Sequence, residues 1–513
     1  MNSQIAASPL VPLAVFLPLI GALLVIPLSR VSEKARAVAV VGVTATTAGI
    51  VLAMIPAVLG GTVYSALVLK MAPNIWMHFA ADPLGMLFAS TVAVLWALVA
   101  VYSQGYMADE HKQNRYYVFF MLSLGWTLGV AFAANLFTLL IFYELFSILT
   151  YPLVIHEETP EAIAAGTKYI IYILVGGSLL LPAIVLTYWL AGTQTLTEAG
   201  ILSLRMNHIG LYTVLWCFVA GFGVKAALMP LHGWVPDAHP AAPAPFSALL
   251  SGVMVAAGSF GIARVFFNVF GPALLKALGV LDWIGYIAAT TVVLAAILAI
   301  SQDNLKRRLA YSTISQMAYV VLGLSLLGPL ATQGALIHIA NHAFMKGTLF
   351  LCAGIIIKKT GHHDISAMGG LASRMPLTAG ALTVCVLGMI GTPPLSGFVS
   401  KWYLGLGMLQ VQRPLYLVVL LGGALLAAVY LLPIVYTLYL KKAPEGEAAG
   451  SEDPEAAHVL TANPGPSRVR EAPWSMLGPM LAGAVLVVVL GVLAWMPGLP
   501  LSFARLAAQT LLR

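Results

Sequence analysis

The feature that most constrains this chain is a train of fourteen apolar segments, each long enough to cross a lipid bilayer. They lie near 9–28, 36–58, 84–104, 115–133, 135–155, 168–190, 211–230, 244–267, 283–302, 309–328, 332–357, 376–398, 415–440 and 476–496. A spanning helix needs about 20 apolar residues, because in hydrocarbon every backbone N–H and C=O must be satisfied within the segment itself. The expected fold class is therefore all-α, a polytopic membrane protein of about 14 transmembrane helices with the lipid bilayer as its solvent. Composition agrees: 60% of the 513 residues are hydrophobic and 9% are charged, whereas a soluble domain carries about 25% charged residues. No basic region precedes the first apolar run, so it reads as a retained span rather than a cleaved signal.

Several function classes drop out. Cys217, Cys352 and Cys385 sit inside apolar runs and form no CxxC pair, so neither a disulfide framework nor the usual cysteine sites for zinc or iron–sulfur clusters is expected. The chain has no GxxxxGK[ST] loop and no GxGxxG following a strand, hence no visible nucleotide site. No cofactor, no metal and no redox catalytic site are expected on this chain. The net charge of +7 reads as an orientation signal rather than a nucleic-acid surface.

With the N-terminus placed outside, the inside connections hold sixteen Lys and Arg, including Arg30, Lys34, Arg36, Lys306, Arg307, Arg308 and Arg468, and the outside segments hold six, ending with Arg513. Positive connections stay cytoplasmic, so a plasma (inner) membrane protein with both termini outside is expected. Residues 441–474, rich in Pro, Gly, Ala and Glu, read as a flexible polar loop of no assignable function.

Four basic residues remain, and they fall inside spans: Lys225, Arg264, Lys346 and Lys401. A charge at the bilayer centre costs about 2.5–3.5 kcal/mol or more, so such residues are candidates for function. Glu144 adds a carboxylate in the middle of FTLLIFYELFSILTYPL. His338, His342 and Lys346 recur at i, i+4 and i+8 and drift only about 80° around a helix, which lines them along one face. Arg264, near the outer end of its span, is expected to snorkel to the interface. The bland alternative for the others is a static ion pair or polar contact tying helices together. The sharper one is a proton path: a buried lysine beside a carboxylate is a proton-binding switch, and histidine titrates near neutral pH. A sodium site would need several oxygen ligands, and Glu144 is the main buried carboxylate.

Two spans look broken. KAALMPLHGWVPDAHPAAPAPFSALLSG and GTPPLSGFVSKW share an echo, Pro230-Leu231-His232-Gly233-Trp234 against Pro394-Leu395-Ser396-Gly397-Phe398, each with a lysine nearby. Proline and glycine interruptions in corresponding places of two halves point to inverted repeats and a transport site, although two kinked, packed helices would look the same.

At this point specific strings carry a resemblance over roughly residues 80–440: YSQGYM ending at Met107, the segment around Glu144, KYIIYILVGGSLLL at 168–181, GVKAALMPLHGWVPDAHPAAPAPFSALLSG at 223–252, DNLKRRLAYSTISQMAY at 303–319, HIANHAFMKGTLFL at 338–351 and GTPPLSGFVSKW at 391–402. The chain resembles the antiporter-like, proton-translocating membrane subunits shared by respiratory complex I, Mrp-type cation/proton antiporters and energy-converting membrane hydrogenases. The resemblance implies two inverted five-helix repeats and two broken helices, dividing the chain into N-terminal helices (1–105), a first repeat (106–275), a second repeat (276–440), the polar loop (441–474) and a C-terminal helix with tail (475–513). It implies that Glu144 pairs with Lys225 of the first broken helix. It places Lys346, with His338 and His342, on a central polar axis, and makes Lys401 the terminal proton group of the second broken helix. Many relatives carry a lysine or histidine in the span after HGWVPDAH, where this chain offers Ser251 and Ala256; the relay must then use water, His239 or another route.

The function implied is proton translocation within a multisubunit complex, together with other membrane subunits and driven by a partner redox reaction of the NADH:quinone oxidoreductase or hydrogenase kind. Two alternatives stay open: a subunit of an Mrp-type antiporter that also moves Na+, and a proton-flow coupling subunit for a partner taking up inorganic carbon. The length favours the shorter family members, and no long lateral helix is expected after residue 496.

Overall fold

The computed structural model describes residues 4–73, 75–442 and 470–512. Most of the polar loop expected at 441–474 lies outside the described residues, as do Arg468 and Arg513.

Strand β1 (Gln4–Ala7) precedes helices α1 (Leu10–Val31) and α2 (Glu33–Ala53); a short α3 (Ile55–Leu59) leads into β2 (Thr62–Ala72) and β3 (Ile75–Ala81). Next come α4 (Pro83–Tyr106), α5 (Gln113–Phe132), α6 (Leu136–Leu149) continued by α7 (Tyr151–Val154), α8 (Pro160–Ala191) and α9 (His208–Lys225). The chain breaks after Lys225 and resumes as α10 (Val235–Ala241). One span then combines α11 (Ala244–Leu249), a π-helical turn at Leu250–Met254, α12 (Val255–Arg264) and a second π-helical turn at Val265–Phe270. After α13 (Pro272–Leu278) come α14 (Leu281–Ile300), α15 (Leu305–Ser325), α16 (Pro329–Thr360) and α17 (Leu371–Arg374). The second broken span is α18 (Pro376–Ile390) with α19 (Ser396–Gln410), followed by α20 (Pro414–Leu440), α21 (Trp474–Val492) and α22 (Pro500–Leu511).

Local chemistry sets many of these boundaries. Asp82 accepts the Gly85 N–H at 2.7 Å at the start of α4, Asn135 accepts from Thr138 at 2.7 Å at α6, and Asn304 accepts from Arg307 at 3.0 Å at α15. Each satisfies an N–H that the first helical turn leaves free. Among the described residues, twelve helical segments are long and apolar enough to cross a membrane. The other two of the fourteen expected segments are α15, whose serines, threonines and Gln316 make it polar, and the α18–α19 pair, each half too short to span alone.

Two features go beyond the sequence reading, a sheet and α22, and the two expected breaks resolve into separate helices. A three-stranded sheet, ordered β1-β2-β3, pairs β1 with β2 in parallel and β2 with β3 antiparallel. α10 and α19 stand as separate helices beyond their breaks, and α22 follows the last span. β2 lies between two strong spans and was too short and too mixed in polarity to register beside them. α22 is only 12 residues long, and its Leu501, Phe503, Ala504 and Ala507 pack down beside α4 and α16.

Connections alternate between two faces. One is basic: there Arg36 bonds Gln113 and Asn114, Lys358 meets Asp109 and Glu110, and Asp237 bridges Lys168 and Arg307. The other carries the sheet, the Asn135–Thr195 bridge and the Asp282–Arg413 ion pair. The α11–α12 span and α16 are enclosed by other helices along their whole apolar length, whereas α1, α2, α8 and α20 turn Leu23, Val38, Trp189 and Val418 outward. Apolar side chains on that rim face lipid, which leaves the centre of the bundle free for polar groups.

Candidate functional site

Helix α16 carries the polar line. His338, His342 and Lys346 are all 0% exposed, as their shared helical face requires. His338 Nδ1 lies 2.8 Å from Ser400 Oγ on α19, next to Lys401. The His338 and His342 rings are 6.0 Å apart, and the Tyr319 ring stands edge-on to His338 at 6.1 Å. Lys346 Nζ donates to the Leu309 carbonyl at 2.9 Å and to Ser312 Oγ, both on α15. A buried ammonium without partners would be strongly penalised, and the polar stretch of α15 supplies them. His338 Nε2, both nitrogens of His342 and Asn341 Oδ1 have no hydrogen-bond partner among the described residues. Buried polar atoms of this kind are the groups that ordered water serves in membrane and soluble interiors alike.

His239 continues this line from the first broken span. Its ring is 5.7 Å from that of Phe350, one turn beyond Lys346 on α16, and 6.1 Å from that of Trp234. Ser251, in the position expected to lack a titratable group, bonds Thr313 at 2.6 Å, beside the Ser312 that holds Lys346. His239 is buried on this side of Ser251, with both ring nitrogens unpartnered among the described residues.

Glu144 and Lys225 are neighbours, but the structure does not join them in a direct ion pair. Lys225 Nζ donates to Ser147 Oγ at 2.6 Å, one turn from Glu144 on α6, and lies 3.6 Å from the centre of the Phe146 ring. Glu144 sits half-buried on the flank of α6 toward α8; a Cβ on Gly177 would come within 2.4 Å of both its oxygens. Its Oε1 has no hydrogen-bond partner among the described residues. An aromatic wall separates Lys225 from His239: Trp234 donates to the Val224 carbonyl at 2.8 Å, and Tyr169 packs on Trp234 at 5.2 Å while its hydroxyl bonds Ser147 O at 3.0 Å.

Lys401 uses the second break. Its ammonium donates to the carbonyls of Met389 at 2.7 Å and Ile390 at 2.9 Å. These are carbonyls at the end of α18, which the break at Gly391–Leu395 releases from helical bonding. A cation at a helix C-terminus is also favoured by the backbone dipoles there. The ammonium therefore bends toward the break rather than out along α19.

Arg264 departs from the expectation. Rather than snorkelling it is 2% exposed and forms a two-pronged pair with Asp82, with Nη2 2.7 Å from Oδ1. Asp82 is already fixed as the cap of α4, so the guanidinium gains more from a preorganised carboxylate than from reaching the interface. The residues that sequence reading passed over are Ser147, Ser312 and Ser400, beside Lys225, Lys346 and Lys401 respectively. A small hydroxyl in an apolar run carries no period of its own; only the lysines and histidines it touches mark it.

The family described as "NADH:quinone oxidoreductase/Mrp antiporter, TM" matches residues 133–427, and "NADH-Ubiquinone oxidoreductase (complex I), chain 5 N-terminus" matches 71–117. NADH-quinone oxidoreductase subunit N of Desulforudis audaxviator is 35% identical over 426 residues, covering 82% of this chain and 83% of that one. Hydrogenase-4 component B of Escherichia coli is 36% identical over 349 residues, which are 65% of this chain and about half (51%) of that relative. Among solved structures, a chain of the Mrp complex from Dietzia sp. DQ12-45-1b superposes with a TM-score of 0.85 at 22% identity, covering 98% of this chain and 97% of that one. The fold is thus found in multisubunit membrane complexes, and with 295 matched residues including every lysine of the polar line, this chain belongs to the NADH:quinone oxidoreductase/Mrp antiporter transmembrane family.

Proposed function

We infer that this chain is a proton-translocating membrane subunit of a multisubunit complex, moving protons along buried Glu, Lys and His side chains and driven by a redox reaction in partner subunits. The observation that carries the reading is the line from His239 past Lys346, His342 and His338 to Ser400 and Lys401, wholly inside the bundle. Basic groups in series, with free hydrogen-bonding capacity on the histidines, can pass protons. They offer few oxygens to a sodium ion. Glu144 and Lys225 form the switching element, with Ser147 holding the ammonium while the carboxylate is away. The basic face is cytoplasmic, because positive connections remain on that side, and the membrane is the cell's inner membrane. Moving one charge against ~100 mV costs about 2.3 kcal/mol; relatives that are oxidoreductase and hydrogenase subunits favour a redox partner as its source.

The test uses the assembled complex in sealed vesicles. Lys346→Met should lose donor-driven proton uptake, read with a pH-sensitive dye, while subunit assembly is retained. Wild-type uptake in that variant would overturn the reading. Radiolabelled Na+ should not accumulate in the wild-type vesicles; stoichiometric Na+ movement would assign the chain to cation/proton exchange instead.

A further inference from the structure

On the basic face a cavity of about 1010 Å³ opens between the ends of α4, α8, α10 and α15. Its wall mixes acids, among them Glu110, Glu157 and Glu161, with the bases Lys168, Arg307 and Lys358. Its floor holds Lys306, which is only 6% exposed although it belongs to the Lys-Arg-Arg run that reads as a solvated connection. Lys306 Nζ donates to the Ala242 carbonyl at 2.9 Å and lies 3.4 Å from that of Pro240. Those carbonyls belong to the exit of α10, directly after His239. His239 in turn stands beside the Lys346 turn of α16.

We propose that this cavity is where protons are exchanged with the basic-face solution, and that Glu157 and Lys306 pass them between the cavity and His239. The inference rests on the proton-translocating reading and extends it by naming the mouth of the path. Its geometry is a sequence of three steps inward: an open space lined by charged groups of both signs, a buried ammonium on its floor, and a buried imidazole behind the carbonyls that hold the ammonium. Glu157 and Lys306 line the same cavity. Glu157, in the loop after α7, also has its carboxyl raised by burial and by the neighbouring Glu110, which suits a group that takes and gives up protons.

The rival account is that Lys306 only caps the Pro240 and Ala242 carbonyls. Lys306→Arg separates the two, because arginine keeps the charge and the donors but does not release its proton. In the assembled complex, Lys306→Arg and Glu157→Gln should each lower donor-driven proton uptake about a hundredfold, the lower end of what a proton-transfer group contributes. Should arginine prevent assembly, Lys306→Cys treated with an aminoethylating thiol reagent should regain uptake and the same variant given a neutral methylthio group should not, with the wild type and its three cysteines treated in parallel. Wild-type uptake by Lys306→Arg or Glu157→Gln, or equal recovery with both reagents, overturns the proposal. Lys346→Met tells the two readings apart: if it fails to pump while Lys306→Arg is unimpaired, the inference alone falls, and if Lys346→Met pumps normally, the reading beneath it falls.

Discussion

The two broken spans place a lysine at a break in opposite ways. Lys225 is the last residue of α9, before the break, and its ammonium rests on a side-chain hydroxyl and two aromatic rings with Glu144 nearby. Lys401 follows the break, and its ammonium rests on two main-chain carbonyls, 5.6 Å from the centre of the Tyr319 ring, with no carboxylate beside it among the described residues. A lysine beside a movable carboxylate can be switched by that carboxylate. A lysine on fixed backbone dipoles can be switched only by moving the backbone or its water. On the proposed function, the first break would work as an electrostatic switch and the second as a positional one.

The largest effect is expected at the first. Glu144→Gln should abolish most proton translocation, roughly tenfold or more, since a coupling of only about 1.4 kcal/mol is already a factor of ten. Proton uptake in vesicles containing the assembled complex checks it. Uptake at the wild-type rate would mean that Lys225 needs no carboxylate and that the two breaks work alike.

Lys401→Arg comes next. Arginine can occupy the Met389 and Ile390 carbonyls but does not release a proton at any accessible pH, so flux should fall substantially. Unchanged flux would remove Lys401 from the path and leave it as a cap on α18.

Two glycines sharpen the contrast further. At Gly391, φ is +100° and an added Cβ would sit 2.9 Å from Lys401 Cδ, whereas at Gly177 the obstruction is the Glu144 carboxylate. Gly391→Ala meets backbone strain of order 1–3 kcal/mol and should lower both the Tm of the complex and its uptake. Gly177→Ala meets the end of a flexible side chain that can swing aside, so it should spare Tm and lower uptake partially. A Gly177→Ala variant with the greater thermal loss would contradict this ranking.

The smallest effect lies on the surface. Glu158, at the basic-face end of the first half, is held to about 2 from an ordinary 4.5 by bonds from Lys112 and Arg115. Because its carboxyl is depressed when folded, its stabilisation is full above the ordinary carboxylate value and fades as pH falls toward about 2. Glu158→Gln should flatten the acid side of a Tm-against-pH curve without changing uptake at neutral pH. An unaltered acid limb would show that this exposed cluster contributes nothing measurable.

Much of the site was legible because the bilayer makes polarity conspicuous. Lys225, Lys346, Lys401 and Glu144 stand out in apolar runs, and the His338–His342–Lys346 spacing alone puts three groups on one face. Lys306 was not legible, because in a Lys-Arg-Arg run at the end of a span the ordinary expectation is a solvated cation. Only the packing of α10 over the start of α15 buries it. Arg264 misled for the opposite reason: its position allowed snorkelling, and its partner Asp82 lies 182 residues away.

What the sequence determined by itself is therefore the set of spans, the breaks and the charged groups within them, since each follows from local hydropathy, proline chemistry and helical period. What only the tertiary structure decided is which group each charge meets: Ser147 rather than Glu144 for Lys225, Ser312 for Lys346, and Met389 and Ile390 carbonyls for Lys401. Hydropathy is a property of one segment at a time. A buried charge must be satisfied by whatever a neighbouring helix presents at that depth, and a single hydroxyl or freed carbonyl there leaves no periodic mark in the chain.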